Sequence, residues 1–392
     1  MILQGDCIEV MRGLEPEQFH TCVTSPPYWG LRDYGIPPSD WPEMAYTPMP
    51  GLPAVTVPAW RGCLGLEPTP EMFIAHSVAV FREVWRLLRP DGTLWLNYGD
   101  SYFGTGGDRK ESAAGPNSCV GPTADASAPR EGRVDRHKHL AKIGLKPKDL
   151  IGIPWRVAFA LQADGWYLRM DNIWSKPNPM PESVRDRPTK AHEYMFLLSK
   201  SERYYYDNQA IKEPGVQDEW ANGFRGGSYT EGSTFDNQDG GKRKARGNFK
   251  VPAGWDTESG SHGTVHRQGR SKANSFARNV KESPPPGQPA QHRSDREDVE
   301  YSGMRNKRSV WTVATQPFPE AHFATFPEKL IEPCIIAGAP PGGKVLDPFG
   351  GSGTTLKVSL EQERDCTIIE LGEQYIDIAR RRTATVQPQM QF

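Results

Sequence analysis

The segment Val345-Leu346-Asp347-Pro348-Phe349-Gly350-Gly351-Ser352-Gly353-Thr354-Thr355-Leu356 limits what this chain can fold into more than any other. An apolar strand running into a glycine-rich turn and then a helix is the ligand-facing unit of an open α/β sheet, where ligands bind beyond the carboxyl ends of the strands. Glycines there let the backbone approach a ligand closely. No Lys follows the last glycine, which disfavours a triphosphate-binding P-loop. The next apolar run, Cys366 to Ile369, reads as a strand ending on Glu370, 17 residues past Gly353. An acid in that place suits the two hydroxyls of an adenosine ribose.

A second motif, Thr24-Ser25-Pro26-Pro27-Tyr28-Trp29, also follows a strand directly, because the apolar run Thr21 to Thr24 breaks at two prolines that cannot donate to a sheet ladder. One reading is a stiff turn and nothing more. The other is functional: the prolines rigidify a loop in which the Ser25 hydroxyl and the Pro26 carbonyl accept hydrogen bonds from an amino group, while Tyr28 offers a face to a planar base.

Elsewhere the periodicity alternates between helix and strand. Phe73, Val80, Phe81, Val84, Trp85 and Leu88 recur at three- and four-residue steps, predicting a helix over 71–88 that stops at Pro90-Asp91-Gly92. Strands are expected at 93–98, 166–174, 194–198 and 344–346, and helices at 148–163 and 326–337. The Pro- and Gly-rich stretch 35–70 reads as a loop over the surface. Residues 104–140 lack periodicity and read as a flexible insertion. Gly and Pro number 39 and 36 of 392 residues, so much of the length goes to connections and the core is localised.

Formal net charge is −1, so any contact with a polyanion must come from a local patch. Residues 242–281 supply one, with ten basic residues, among them Lys242, Arg243, Lys244 and Arg246, against two acids. A charge run of this kind can be a solvated face, but Phe249, Trp255 and Phe276 are interleaved with it, as on a nucleic-acid surface. The six cysteines form no C-x-x-C pair and no zinc-like spacing, so free thiols and no metal are expected. The start MILQGDCIEV is acidic where a signal peptide would be basic, and no apolar run has membrane-spanning length. The expectation is a cytoplasmic protein without a membrane partner.

TSPPY and DPFGGSGTT together resemble the signatures of the DNA amino-methyltransferase family, which modifies N4 of cytosine or N6 of adenine. The order of the two motifs is that of the family's circularly permuted beta group. Three weaker matches follow in register. Gly5-Asp6-Cys7 is similar to the segment at the cofactor's adenine end. The segment His322 to Lys329, with Thr325 and Phe326, is similar to the one flanking the methionine part, although Phe323 stands where Pro is common. Trp174-Ser175-Lys176-Pro177-Asn178 is similar to a loop near the target base.

The resemblance implies a Rossmann-like class I methyltransferase fold: a seven-stranded, mostly parallel sheet with one antiparallel strand, circularly permuted and carrying large loop insertions. It implies S-adenosyl-L-methionine as cofactor, held by Asp6, Cys7, Thr325, Phe326, Asp347, Pro348, Phe349, Gly350, Gly351, Ser352, Gly353, Thr354 and Glu370. Catalysis falls to Ser25, Pro26, Pro27 and Tyr28, and double-stranded DNA would meet Lys176, Asn178 and the basic run. A cognate restriction endonuclease fits as a partner. Residues 1–206 would form the catalytic part of the core, 207–308 the target-recognition region, and 309–392 the cofactor-binding part.

Within the family, Ser25 favours cytosine N4 over adenine N6, since adenine enzymes more often carry Asp or Asn there. A flipped base and direct in-line transfer are the expected mechanism. Three alternatives compete. A C5-cytosine enzyme would need Cys334 as nucleophile, but Pro333-Cys334 falls inside an expected helix, where a buried structural cysteine is the simpler reading. RNA or protein methylation would usually place the cofactor motif first. A DNA-binding protein without catalysis would not need every catalytic position filled.

Overall fold

The computed structural model of the protein describes residues 1–30, 35–102, 144–214, 304–316, 326–384 and 386. They fall in two units, Met1–Ile211 with Asn306–Phe392, and Lys212–Arg305. Of the second, only 212–214 and 304–305 are described, and the basic run 242–281 lies outside the described residues, as does the insertion 104–140.

The first unit holds β1 (Ile2–Gln4), α1 (Cys7–Arg12), β2 (Phe19–Thr24), β3 (Ser39–Trp41), β4 (Met44–Tyr46), β5 (Val55–Val57), β6 (Trp60–Gly62), α2 (Pro70–Leu87), β7 (Leu88–Tyr98), α3 (Ile153–Ala163), β8 (Tyr167–Ser175) and β9 (His192–Ser199). The second unit contributes the short pair β10 (Glu213–Pro214) and β11 (Met304–Arg305). Back in the first unit follow β12 (Val310–Thr312), α4 (Glu328–Gly338), β13 (Lys344–Asp347), α5 (Thr354–Glu361), β14 (Asp365–Glu370) and α6 (Glu373–Thr383).

The main sheet has the order β1-β14-β13-β2-β7-β9-β8-β12. Only β9 runs antiparallel to its neighbours, so the expected pattern of one reversed strand holds. The short edge strand β12, parallel to β8, makes an eighth strand where seven were expected. Alternation along the central strands sends side chains to two cores on opposite faces. Cys22, Leu94, Leu96, Phe196 and Leu346 pack on one side with α2 and α3. Val23, Trp95, Met195, Leu197 and Val345 pack on the other with α4 and α5.

Helix α2 shows how sequence sets the layers. Thr69 caps it, its hydroxyl accepting from Met72 N at 3.3 Å, and Pro70 opens the first turn. Phe73, Val80, Phe81, Val84 and Leu87 are then fully buried, each contributing about 1.5–3 kcal/mol of burial. The helix ends at Leu87, and the chain pairs as a strand from Leu88. Pro90-Asp91-Gly92 therefore sits inside an irregular stretch of β7, between the pairs Phe19 with Leu88 and Thr21 with Thr93. Helix α3 begins at Ile153, later than expected, because Lys148 and Gly152 both take positive φ.

Residues 35–70 depart most from expectation. They form two small antiparallel ladders, β3 with β6 and β4 with β5, and bury Trp41, Tyr46 and Val57 in the α2 core. Their aromatic and β-branched residues supply enough apolar surface to outweigh the Pro and Gly content.

Candidate active site

Strands β13 and β2 are parallel neighbours, Val345 opposite Thr21 and Leu346 opposite Cys22. Their carboxyl ends therefore lie side by side where the strand order reverses, which is where open α/β sheets bind ligands. The loops that leave them, Ser25–Tyr28 and Pro348–Ser352, open onto one cleft of about 760 Å³, within the size range of small-molecule sites.

Asp347 closes the seam between the two loops. Its buried carboxylate accepts from Thr24 Oγ1 at 2.7 Å, Thr355 Oγ1 at 2.6 Å and Phe349 N at 3.0 Å. Burial raises its pKa against those hydrogen bonds. The turn then needs a left-handed residue before α5, and Gly353 fills it with φ +79°; a Cβ there would also meet Ala379 Cβ at 2.7 Å. Gly353 thus serves the turn from beneath and does not line the cleft. Arg382, from α6, braces the loop from behind through Ser352 Oγ at 3.1 Å and Thr354 Oγ1 at 2.8 Å, and pairs with Glu328 at 2.6 Å.

Glu370 ends β14 on the same cleft. Its Oε2 accepts from Gly351 N at 2.9 Å and its Oε1 from Gly372 N at 2.7 Å. Burial pushes its pKa up, partly offset by those backbone donors. Each oxygen retains a second lone pair for a ligand hydroxyl. Asp6, two residues past the end of β1, lines the same cleft and also has a structural task, capping α1 through Ile8 N at 2.9 Å and Glu9 N at 3.2 Å and accepting from Ser39 Oγ at 2.6 Å. Cys7 lines the cleft, and burial raises its thiol pKa. Pro348, Phe349, Gly350 and Phe326 complete the wall. Thr325 lies outside the described residues.

On the other side, Tyr28 is more than an aromatic face. Its hydroxyl lies within donating reach of two acceptors, Asn97 Oδ1 at 2.9 Å and Glu193 Oε2 at 3.0 Å, and Ser25 Oγ lies 3.4 Å from Tyr28 Oη and 3.3 Å from Asn97 Oδ1. Asn97 is held by its own amide, which donates to Tyr194 O at 2.9 Å. Lys176 donates to Glu193 Oε1 and stands 4.1 Å over the Trp174 ring. Asn178 uses both ends of its amide on Thr315, at 2.9 and 3.2 Å. Both residues expected at DNA thus line the cleft while engaged in protein contacts. Lys242, Arg243, Lys244 and Arg246 lie outside the described residues.

Beneath the Pro-Pro loop is a buried support that the sequence did not announce. Gly65 O accepts from Gly30 N at 2.7 Å, and Glu67 O accepts from Trp29 Nε1 at 2.9 Å. Glu67 Oε2 accepts from Gly65 N at 2.8 Å, and its Oε1 lies 3.0 Å from His76 Nδ1 on α2. Trp41 stacks on the His76 ring at 4.2 Å.

A family model described as DNA methylase, of the N6/N4 type, matches residues 19–381. The chain belongs to this family. It is similar to the Type II methyltransferase M.SmaI of Serratia marcescens, 38% identical over 381 residues, covering 97% of this chain and 89% of the relative. It is also similar to M.Cfr9I of Citrobacter freundii, 37% identical over 381 residues, covering 97% and 86%. Among solved structures, PvuII DNA methyltransferase (cytosine-N4-specific) aligns with a TM-score of 0.50 at 14% identity, covering 97% of this chain and 85% of the other. At that identity the likeness is one of fold.

The DNA methylase family takes S-adenosyl-L-methionine as methyl donor, and the cleft has acceptors and apolar faces that fit it. Carboxylates of Glu370 and Asp6 suit hydroxyl and amine groups, while Phe349 and Phe326 give apolar faces. The Pro333-Cys334 pair lies within α4 as expected, with Cys334 fully buried, its thiol bonded to Leu330 O at 3.6 Å and its pKa pushed up by burial. Such a thiol is no nucleophile.

Asn97, Gly99, Lys190 and Glu193 line the site without having been singled out in the sequence. The one available signal was position. Asn97 and Gly99 flank the last residue of an apolar strand, β7, much as Ser25 and Pro26 follow the last residue of β2.

Proposed function

We propose that the chain is an S-adenosylmethionine-dependent DNA methyltransferase of the Type II restriction-modification kind, and that its target is the N4 amine of cytosine. The carrying observation is the seam at Thr24 and Asp347, which puts the Ser25–Tyr28 loop and the Pro348–Ser352 loop on one cleft. The cofactor supplies a methyl group already activated on a positively charged sulfur. Glu370 and Asp6 would hold its sugar and base end, and Phe326 would flank its amino-acid end.

The chain's own residues act on the substrate amine. That amine is a poor nucleophile because its lone pair is delocalised into the ring. Acceptors at its two N–H groups favour a tetrahedral nitrogen, and the Ser25 hydroxyl and the Pro26 carbonyl are the acceptors at the end of β2. Pro26 and Pro27 fix the backbone so that little reorganisation is needed as charge develops. Tyr28, with its hydroxyl already anchored, keeps its ring in one orientation for the flipped base, which favours an aligned attack. Flipping costs a few kcal/mol, offset by backbone contacts. The basic run 242–281 is the segment suited to them, within a target-recognition region over 207–308, with Lys176 and Asn178 nearer the base. Cytosine is supported by Ser25, whose hydroxyl accepts one proton while donating its own.

Transfer of a tritiated methyl group from the cofactor to duplex DNA tests the reading. Wild-type protein should label DNA, and Ser25→Ala should cut labelling sharply while cofactor affinity stays near wild type. An unlabelled duplex in the presence of folded, cofactor-bound protein would contradict it.

A further inference from the structure

We propose that Glu193 receives the proton that the target amine loses, delivered through the hydroxyls of Ser25 and Tyr28, with Lys176 holding the carboxylate in place. The proposal rests on the amine-methylation reading above. An amine that gains a methyl group carries a positive charge until it releases a proton, and a site that excludes water must provide the acceptor itself. Neither the Pro26 carbonyl nor the Asn97 amide can keep a proton at neutral pH.

The hydroxyls lead to one carboxylate. Ser25 Oγ is 3.4 Å from Tyr28 Oη, which is 3.0 Å from Glu193 Oε2. Other carboxylates of the cleft are committed elsewhere. Asp100 accepts from Gly152 N and Ile153 N, both at 3.0 Å, at the start of α3. Glu182 accepts from Arg187 at 2.8 Å, and Asp347 has its three donors. Glu193 has donors too, Lys176 on its Oε1 and the Asn97 amide 3.4 Å from its Oε2, but it is the carboxylate that the Tyr28 hydroxyl reaches, and its side chain keeps 17% exposure through which a proton can leave. The Asn97 amide competes for the Tyr28 hydroxyl at 2.9 Å, so that hydroxyl has two acceptors and only the carboxylate can take its proton.

The step balances. The amine lone pair forms the bond to the methyl carbon, and the carbon–sulfur bond breaks with its electron pair remaining on sulfur. The nitrogen's proton passes to Ser25 Oγ as Ser25 gives its own to Tyr28 Oη and Tyr28 gives its own to Glu193 Oε2. The sulfonium becomes a neutral thioether, the carboxylate becomes a carboxylic acid, and both hydroxyls end as they began. Glu193 then returns its proton to solvent.

The titratable groups around Glu193 are Lys176 from the loop after β8, Tyr28 from the loop after β2, and His192 and Lys190 at the start of β9. The charge of Lys190 is felt by both Glu193 and Asp100. Single-turnover transfer of a labelled methyl group to duplex DNA, measured against pH, separates a proton acceptor from a structural brace. Glu193→Gln keeps an oxygen for Tyr28 but cannot take the proton. It should be on the order of 10²-fold slower and should lose the rise of rate with pH that the proposal expects of wild type, while calorimetric cofactor affinity and melting temperature stay near wild type. Glu193→Asp should restore part of the rate. A Glu193→Gln rate within threefold of wild type, with the pH profile kept, overturns the proposal. Loss of cofactor affinity or of melting temperature in step with the rate assigns a structural role and overturns it as well. A wild-type protein that labels no DNA refutes the underlying methylation reading instead.

Discussion

Thr24 donates to Asp347 at 2.7 Å across 323 residues of sequence. The last residue of the strand that carries the Pro-Pro loop is thereby bonded to the last residue of the strand that carries the glycine-rich turn. Because both side chains are buried, the bond fixes the distance between the two halves of the site more firmly than either loop could alone.

Asp347→Ala should therefore damage both fold and site. It leaves Thr24 and Thr355 hydroxyls and the Phe349 N–H without their acceptor, and each buried group left unpaired costs about 1–3 kcal/mol. Denaturant titration should show a loss of about 3 kcal/mol or more, and calorimetry should detect no cofactor binding. Thr24→Val removes one donor and should cost about 1 kcal/mol with cofactor binding retained. A stable, cofactor-binding Asp347→Ala protein would remove the seam from the account.

Glu370 predicts a pH dependence. Burial raises its pKa, against the N–H groups of Gly372 and Gly351. The folded chain then keeps this proton at pH values where the unfolded chain has lost it. Its contribution to stability falls as pH rises from the ordinary carboxylate value through the raised one, and levels above it. Cofactor affinity runs the opposite way across the same window, because the ionised carboxylate is the stronger acceptor for ribose hydroxyls. Calorimetry on wild type should show affinity rising with pH through that window, and Glu370→Gln should bind more weakly without the rise.

Much of this was legible in the sequence, for a local reason. Gly, Pro and the strand-ending acids act on their own backbone, so DPFGGSGTT, SPPY and Glu370 announce turns and ligand groups without reference to the rest of the chain. Asn97 and Glu193 carry no such local signature. They meet at the cleft because β9 is inserted antiparallel beside β7, a pairing set by long-range topology. The Glu67–His76 support was hidden likewise, since it depends on 35–70 folding back on α2 when its composition reads as loop. Asp6 was legible as an acid at the cleft but not as the cap of α1.

Gly99 gives a test of how tightly Tyr28 is seated. A Cβ on Gly99 would stand 2.6 Å from Tyr28 Cε2, so Gly99→Ala must push the ring aside. The expected outcome is a turnover rate lowered about tenfold or more, from the misplacement of a group near the reaction, with cofactor affinity unchanged by calorimetry. An unaltered rate would show that the ring's position is not critical.

The basic run is testable through salt. Neutralising Lys242, Arg243 and Lys244 together should weaken binding to DNA of any sequence and flatten its dependence on salt, since fewer counterions are released. Fluorescence anisotropy over a salt series measures the slope. An unchanged slope in a folded variant would make this run a solvated face.

The most direct measurement is the identity of the modified base. DNA exposed to the protein and its cofactor is digested to nucleosides and analysed by mass spectrometry. The expected product is N4-methylcytosine, reduced sharply in Ser25→Ala. N6-methyladenine as the sole product would contradict the cytosine assignment while leaving the family intact, and C5-methylcytosine would contradict the amine mechanism altogether.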